Sequence, residues 1–275
     1  MLLRSPIRAS LFVTLVLTFG VAFGAVFAAG QETPFQPEVG QPGKDVVWVP
    51  TPEPMVEKML DLAKVGPRDY VIDLGSGDGR NVIAAARRGA RGLGVEYNPD
   101  MVALSRRKAD EAGVNRRARF ERGDMFQADI SKATVMALFL LPSNLRQLRP
   151  KLLALAPGSR IVSNTFLIEG WPPDVSDSLD VACEMWCDVY LWIVPAQIGG
   201  RWRFGDGELS LTQEYQKVSG TLTARGTSSV VSGTLRGAEI ELTIGTQVWR
   251  GRASAGSLTL TGADGQRATA RRLDR

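Results

Sequence analysis

The ten residues 71–80, VIDLGSGDGR, constrain this chain more than any other segment. A short β-rich run ends in an acid, Asp73, and passes through Gly75, Gly77 and Gly79 into residues with helical spacing. Glycines are needed where the backbone turns sharply out of a strand and where a ligand must come close to the main chain. The spacing is G-x-G-x-G with an acid two residues ahead of it, so the usual dinucleotide fingerprint, G-x-G-x-x-G, is absent.

The segment lies inside an alternation of strand and helix. Residues 55–64 carry apolar side chains at helical spacing behind the cap-like Thr51-Pro52-Glu53-Pro54, and that helix ends before Gly66-Pro67. Strands are expected over 70–74, 92–96, 118–121, 133–140 and 159–168, with helices over 81–88, 99–112 and 145–155. This cadence predicts an α/β fold, a mostly parallel Rossmann-like sheet with helices on both faces, which binds ligands at the carboxyl ends of its strands. The second strand ends in Glu96, placed to accept hydrogen bonds from two ribose hydroxyls. After the third comes Gly123-Asp124-Met125, where a carboxylate suits an adenine amino group and a thioether can pack on the ring. Acids on three consecutive strand ends are more specific than one glycine loop.

Composition narrows the chemistry. The chain has no histidine, which excludes a Ser-His-Asp site, a His-ligated metal and an imidazole base. Its 2 cysteines cannot build a four-sulfur zinc site, and no metal is expected. Lys and Arg number 33 against 29 Asp and Glu, an excess too small to argue for nucleic acid. The cluster Arg106, Arg107, Lys108, Arg116, Arg117, Arg119 and Arg122 reads as a solvated face.

On these residues the sequence resembles the class I S-adenosylmethionine-dependent methyltransferases over roughly 46–194. More narrowly, WVPTPEPMVEKMLDLA (48–63), DLGSGDGR (73–80) and LFLLPSNLRQLRPKLL (138–153) resemble the seven-β-strand lysine methyltransferases that act on mitochondrial membrane proteins, and their bacterial relatives. The resemblance implies S-adenosyl-L-methionine as cofactor, held by Asp73, Gly75, Ser76, Gly77, Asp78, Gly79, Glu96, Tyr97, Asp124 and Met125. It implies that Thr51 lies across the cofactor and that Leu141 and Pro142 border the acceptor pocket, with Asn164 a candidate polar contact. The fourth strand lacks the Asn-Pro-Pro-Tyr or Asp-Pro-Pro-Tyr of amide and base methylases, which disfavours a planar nitrogen acceptor. The expected reaction is N-methylation of an amine, a protein lysine or a small molecule, with the proton leaving to water, Tyr97 or a carboxylate.

The ends of the chain differ from its middle. Residues 1–30 show Arg4 and Arg8, an apolar run over 11–27 and small residues Ala28, Ala29 and Gly30, the layout of a signal peptide or an N-terminal membrane anchor. The charge order predicts export, with the domain periplasmic or anchored to the inner membrane through 11–27 and facing the periplasm. Residues 31–45 read as a Pro- and Gly-rich linker. Residues 195–275 alternate polar and apolar between glycine turns, which predicts a small antiparallel barrel-like domain with Trp202 and Trp249 in its core. Cys183 and Cys187 would stand about 13 Å apart in one extended strand but could bridge across a tight turn. The rival to an enzyme is an exported non-catalytic binding protein that keeps the fold and works through the β-rich tail.

Overall fold

The structure, a computed structural model, describes residues 1–2, 35–179, 183–254 and 256–273. The expected signal or anchor, including the apolar run 11–27, lies outside the described residues apart from Met1 and Leu2. Among the described residues no helix is long and apolar enough to cross a membrane.

Helix α1 (Glu53–Leu62) starts at the prolines, which suit a first turn because its amides have no helical partner, and it buries Met55, Val56, Met59 and Leu60. The alternation then runs β1 (Tyr70–Leu74), α2 (Arg80–Arg87), β2 (Arg91–Glu96), α3 (Pro99–Glu111), β3 (Ala118–Arg122), β4 (Val135–Leu138), α4 (Pro142–Leu153), β5 (Arg160–Asn164), β6 (Val175–Ser178) and β7 (Asp188–Ile193). These strands form one sheet in the order β3-β2-β1-β4-β5-β7-β6. β1 to β5 are parallel, and β7 enters antiparallel between β5 and β6. The strand order reverses beside β1, so the ligand crevice of such a sheet opens at the carboxyl ends of β1 and its neighbours.

Two strands stop earlier than their apolar runs suggest. β4 ends at Leu138, although Leu140 is 1% exposed, because a loop residue fills the core from outside the sheet. β5 ends at Asn164, where Thr165 takes a left-handed φ of 63° that a strand cannot continue through. β6 and β7 follow the five strand ranges expected from the sequence; β6 reads VSDS, a polar edge with no alternation to announce it.

The C-terminal region is a closed antiparallel barrel: β8 (Gly200–Phe204), β9 (Gly207–Glu214), β10 (Lys217–Ala224), β11 (Thr227–Arg236), β12 (Glu239–Ile244), β13 (Gln247–Ala253), β14 (Ser257–Gly262) and β15 (Arg267–Arg272). Each strand pairs with the next, and β15 closes on β8 through Ala270 opposite Phe204. Trp202 and Trp249 are buried in its interior with Leu209, Leu242, Leu258 and Leu260. Closure at this size needs sharp bends, and three glycines allow them. A side chain at Gly220, Gly233 or Gly251 would put its Cβ 1.9, 2.2 or 1.8 Å from the carbonyl oxygen of Ser210, Glu241 or Thr259 respectively. The barrel meets the sheet domain where Tyr215 stacks on Trp171 at 5.7 Å and Gln216 donates to the Pro172 carbonyl at 2.8 Å.

Candidate active site

The glycine loop leaves β1 as expected. Gly75, Gly77 and Gly79 all have positive φ, at 71°, 53° and 82°. At Gly77 conformation and space act together, because a Cβ there would lie 2.6 Å from the indole nitrogen of Trp48. Glu96 fixes the loop from the neighbouring strand: its carboxylate accepts from the Gly77 amide at 3.0 Å and from the Asn98 amide at 2.9 Å. One acid thus ties the glycine loop to the start of α3 and also lines the cleft.

Asp78 has a different task. Arg80 donates to its two oxygens at 2.9 and 2.8 Å, and Lys108 adds a contact of 2.6 Å. Burial works against its charge, but the hydrogen bonds from Arg80 and Lys108 outweigh that, and its carboxyl is held below the usual range. Both oxygens are committed, so Asp78 braces the loop; Arg80 also reaches the Thr51 carbonyl at 2.6 Å. The basic cluster is accordingly only in part a solvated face, since Lys108 serves Asp78, Arg106 donates to the Phe120 carbonyl and Arg117 to that of Gly89.

Asp73, at 4% exposure, receives one hydrogen bond from the Asn81 side-chain amide at 3.1 Å. Burial pushes its carboxyl well above the usual range, the Asn81 bond offsets part of this, and the nearby charges of Glu96 and Asp78 add to it. Two further buried polar atoms in this part of the cleft, Ser76 Oγ and Asn81 Oδ1, have no protein partner. Buried polar groups are rarely left unpaired unless a ligand or water satisfies them.

Residues 41–49, including the end of the stretch read as a linker, cross the cleft and line it. The strap is pinned by hydrogen bonds between Gly40 N and Trp48 O at 2.8 Å and between Trp48 N and Gln41 O at 2.9 Å. From it Lys44 pairs with Asp124 at 3.1 Å and stands 5.6 Å from the Tyr97 ring. Asp124 also accepts from the Phe126 amide at 2.8 Å, so the turn-forming role that any such Asp can take is real here and leaves one oxygen, shared with Lys44. The amide bond and Lys44 hold its carboxyl below the usual range. Met125 and Met101 line the same wall.

The structure therefore brings Asp73, Gly75, Ser76, Gly77, Asp78 and Thr51 to one part of the cleft, and Glu96, Tyr97, Asp124 and Met125 to the other, with Gly75 in both. Gly79, Leu141, Pro142 and Asn164 do not line either part: Gly79 caps α2, Leu141 caps α4, Pro142 opens it, and Asn164 is fully buried at the end of β5. Tyr97 follows β2, two strand positions from β4 in the sheet. Trp48, Lys44, Asn81 and Phe139 also line the cleft and were not singled out from the sequence. A set of carboxylate acceptors, small loop residues and thioethers fits a nucleoside carrying an amino acid, with Asp73, Asn81 and Ser76 on hand for its polar groups.

Comparison with known proteins agrees with this geometry. The family model described as ANTKMT methyltransferase domain matches residues 73–175. A protein-lysine N-methyltransferase of Saccharolobus islandicus (strain REY15A) is 44% identical over 131 residues, covering 46% of this chain and 81% of its own length. The adenine nucleotide translocase lysine N-methyltransferase of Mus musculus is 39% identical over 120 residues, 43% of this chain and 52% of that protein. The chain thus spans about half the length of the mouse relative. Among solved structures, an RNA methyltransferase from Salinibacter ruber in complex with S-adenosyl-L-homocysteine is 49% identical with a TM-score of 0.52, over 55% of this chain and 96% of that one.

Proposed function

We propose that this chain, which belongs to the class I S-adenosyl-L-methionine-dependent methyltransferases, transfers the methyl group to a protein lysine. The cofactor supplies a methyl carbon already activated by a sulfonium, so the protein has to align and desolvate the acceptor more than to activate the donor. Asp73, Glu96 and Asp124 provide fixed acceptors, Gly75 and Gly77 provide space, and the strap 41–49 lines the cleft. The alternative of a non-catalytic binding protein has no support from any of these observations.

The lysine assignment is carried by the match to the Saccharolobus islandicus protein-lysine N-methyltransferase across most of that protein's length. The name of the Salinibacter ruber structure favours a second reading, RNA as acceptor. Against it, three members of the basic cluster are engaged within the protein, and the loop after β4 carries Phe-Leu-Leu-Pro in place of an amide- or base-gripping motif. The two readings separate by experiment. Methyl-labelling of a native cell-envelope extract with the full chain is expected to give label that protease removes and ribonuclease does not; nuclease-sensitive label would replace lysine by RNA.

We further propose that the domain acts outside the cytoplasm, on the N-terminal pattern 1–30 and on the Cys183–Cys187 disulfide, a bond of oxidising compartments. S-adenosylmethionine is charged and does not cross a bilayer unaided, so the proposal requires a supply of cofactor outside. A fusion of residues 1–60 to a reporter active only outside the cytoplasm is expected to be active. A silent one beside an active cytoplasmic fusion reverses the assignment.

A further inference from the structure

The chain leaving β4 and the chain leaving β5 each set one aromatic ring on the same spot. Phe139 and Phe166 stack with centroids 6.1 Å apart. A third ring, Trp186, arrives from the loop ahead of β7 and lies 5.5 Å from Phe139 and 5.9 Å from Phe166. None of the three is fully buried, and exposed Leu141, Leu167 and Met185 neighbour them in sequence. Phe139 also lines both parts of the cofactor cleft. The cluster is therefore continuous with the cleft on one side and open to solvent on the other.

The backbone is bent to make this cluster. Thr165, one residue before Phe166, has φ 63°, and Trp186 itself has φ 64°. A left-handed conformation is costly for a β-branched or bulky residue and persists only where its surroundings hold it. Here they do: the Thr165 amide donates to Asp188 O at 2.7 Å, and its hydroxyl donates to Asn164 Oδ1 at 2.9 Å. The turn that carries Trp186 is closed by the disulfide between Cys183 and Cys187, whose Cα atoms are 5.8 Å apart, less than half the separation an extended strand would give them. Strain held at two positions, each feeding one ring of the same cluster, marks a site whose geometry matters.

We propose that Phe139, Phe166 and Trp186 form the wall that receives the lysine side chain to be methylated, with the disulfide loop holding the third ring in place. This rests on the lysine reading above. Ring faces attract a cation and pack on methylenes, and a lysine side chain is a four-carbon stem ending in an ammonium. In a chain without histidine, a wall that seats the amine against the cleft leaves its proton to solvent and places its nitrogen by packing.

The full chain tests this in two measurements on each variant: calorimetric titration with S-adenosyl-L-homocysteine, and transfer of labelled methyl to the cell-envelope extract. Trp186→Leu and Phe166→Leu are expected to keep the titration while transfer falls about 10- to 30-fold, as loss of a desolvated cation contact requires. Trp186→Phe restores most of it, and Cys183→Ser with Cys187→Ser lowers transfer less than Trp186→Leu. The wild-type protein loaded with S-adenosyl-L-homocysteine is also titrated with Nα-acetyl-lysine methylamide, and its Trp186 indole resonance is expected to shift more than with the norleucine analogue. Wild-type transfer by Trp186→Leu, or an indole signal indifferent to the lysine compound, overturns the wall. Label that hydrolyses to a methylated nucleoside overturns the lysine reading itself; methyl-lysine with a fully active Trp186→Leu overturns only the wall.

Discussion

On the β1–β3 side of the sheet the groups that face the cleft are backbone amides and carboxylates that fix one another, as Glu96 fixes Gly77. On the β4–β7 side Phe139 lines the cleft, and it belongs to an aromatic cluster held by two left-handed residues and a disulfide. The first side serves a ligand of fixed structure, and its geometry follows from a few residues near each strand end. The second is the side proposed above for the acceptor, and it is assembled from residues far apart in the chain. Cofactor binding and acceptor binding should therefore respond to different substitutions.

The largest effect expected is on the cofactor side. Asp73→Ala and Glu96→Ala each remove a carboxyl that accepts hydrogen bonds from the bound cofactor, worth about 1.5 to 3 kcal/mol, which is roughly 10- to 150-fold in affinity. Glu96→Ala should be the more damaging to the loop, because it also frees Gly77 and Asn98. Calorimetric titration with S-adenosyl-L-homocysteine measures both, and folded variants with unchanged curves would move the cofactor elsewhere.

Asp73 makes cofactor binding depend on pH. In the free protein, burial raises its carboxyl above the ordinary value, so it keeps its proton over a range where an exposed Asp is ionised. The stability it contributes is full below the unfolded value and is lost as pH rises through the raised folded one. A cationic ligand favours the ionised form, so binding should release a proton, and affinity should rise with pH until the raised value is passed. Titrations in two buffers of different ionisation enthalpy detect the release; identical apparent enthalpies would mean that Asp73 does not change charge.

How far each side was legible follows from the same contrast. Strands β1 to β3, helices α2 and α3, and Asp73, Glu96 and Asp124 could be read because their pattern is local: an apolar run, an acid, then glycine or a helix start. The barrel was legible for a similar reason, since tight turns and alternation repeat every few residues. Phe139, Phe166 and Trp186 could not be read as a cluster, because nothing in the sequence says that residues separated by 27 and 20 positions meet. The edge strand β6 carried no signal, and residues 41–45 of the crossing strap read as linker, because polar, Pro- and Gly-rich stretches look alike whether they are solvated or lie over a cleft. Leu141 and Pro142, implied by resemblance as acceptor neighbours, form the N-terminal end of α4 just beyond Phe139, outside the residues that line the cleft.

The barrel sharpens the comparison from outside the cleft, since none of the cleft-lining residues belongs to it. A chain ending at Pro195 should keep its affinity for S-adenosyl-L-homocysteine. It should also melt lower, because removing Tyr215 uncovers Trp171, which is 1% exposed and part of the sheet core. Exposing a side chain of that size costs about 2 to 3 kcal/mol, or roughly 4 to 12 °C in a domain of this length. A shortened chain that does not fold would make sheet and barrel one core.

The smallest effect expected is at Lys44, where the strap touches the cofactor side. Its ammonium pairs with the Asp124 oxygen that the Phe126 amide leaves open, and Asp45 shares the same ammonium. A ligand amino group bound by Asp124 has to displace or share that contact. Lys44→Ala should therefore tighten binding of S-adenosyl-L-homocysteine, but by less than about threefold, because an exposed ion pair is screened by water and salt. The gain should shrink further as salt is raised, since the pair it removes is then already weak. Calorimetry at low and high ionic strength reads both. Weaker binding by Lys44→Ala would instead make Lys44 part of the cofactor site, contributing through its place over the Tyr97 and Phe126 rings, 5.6 and 5.9 Å away.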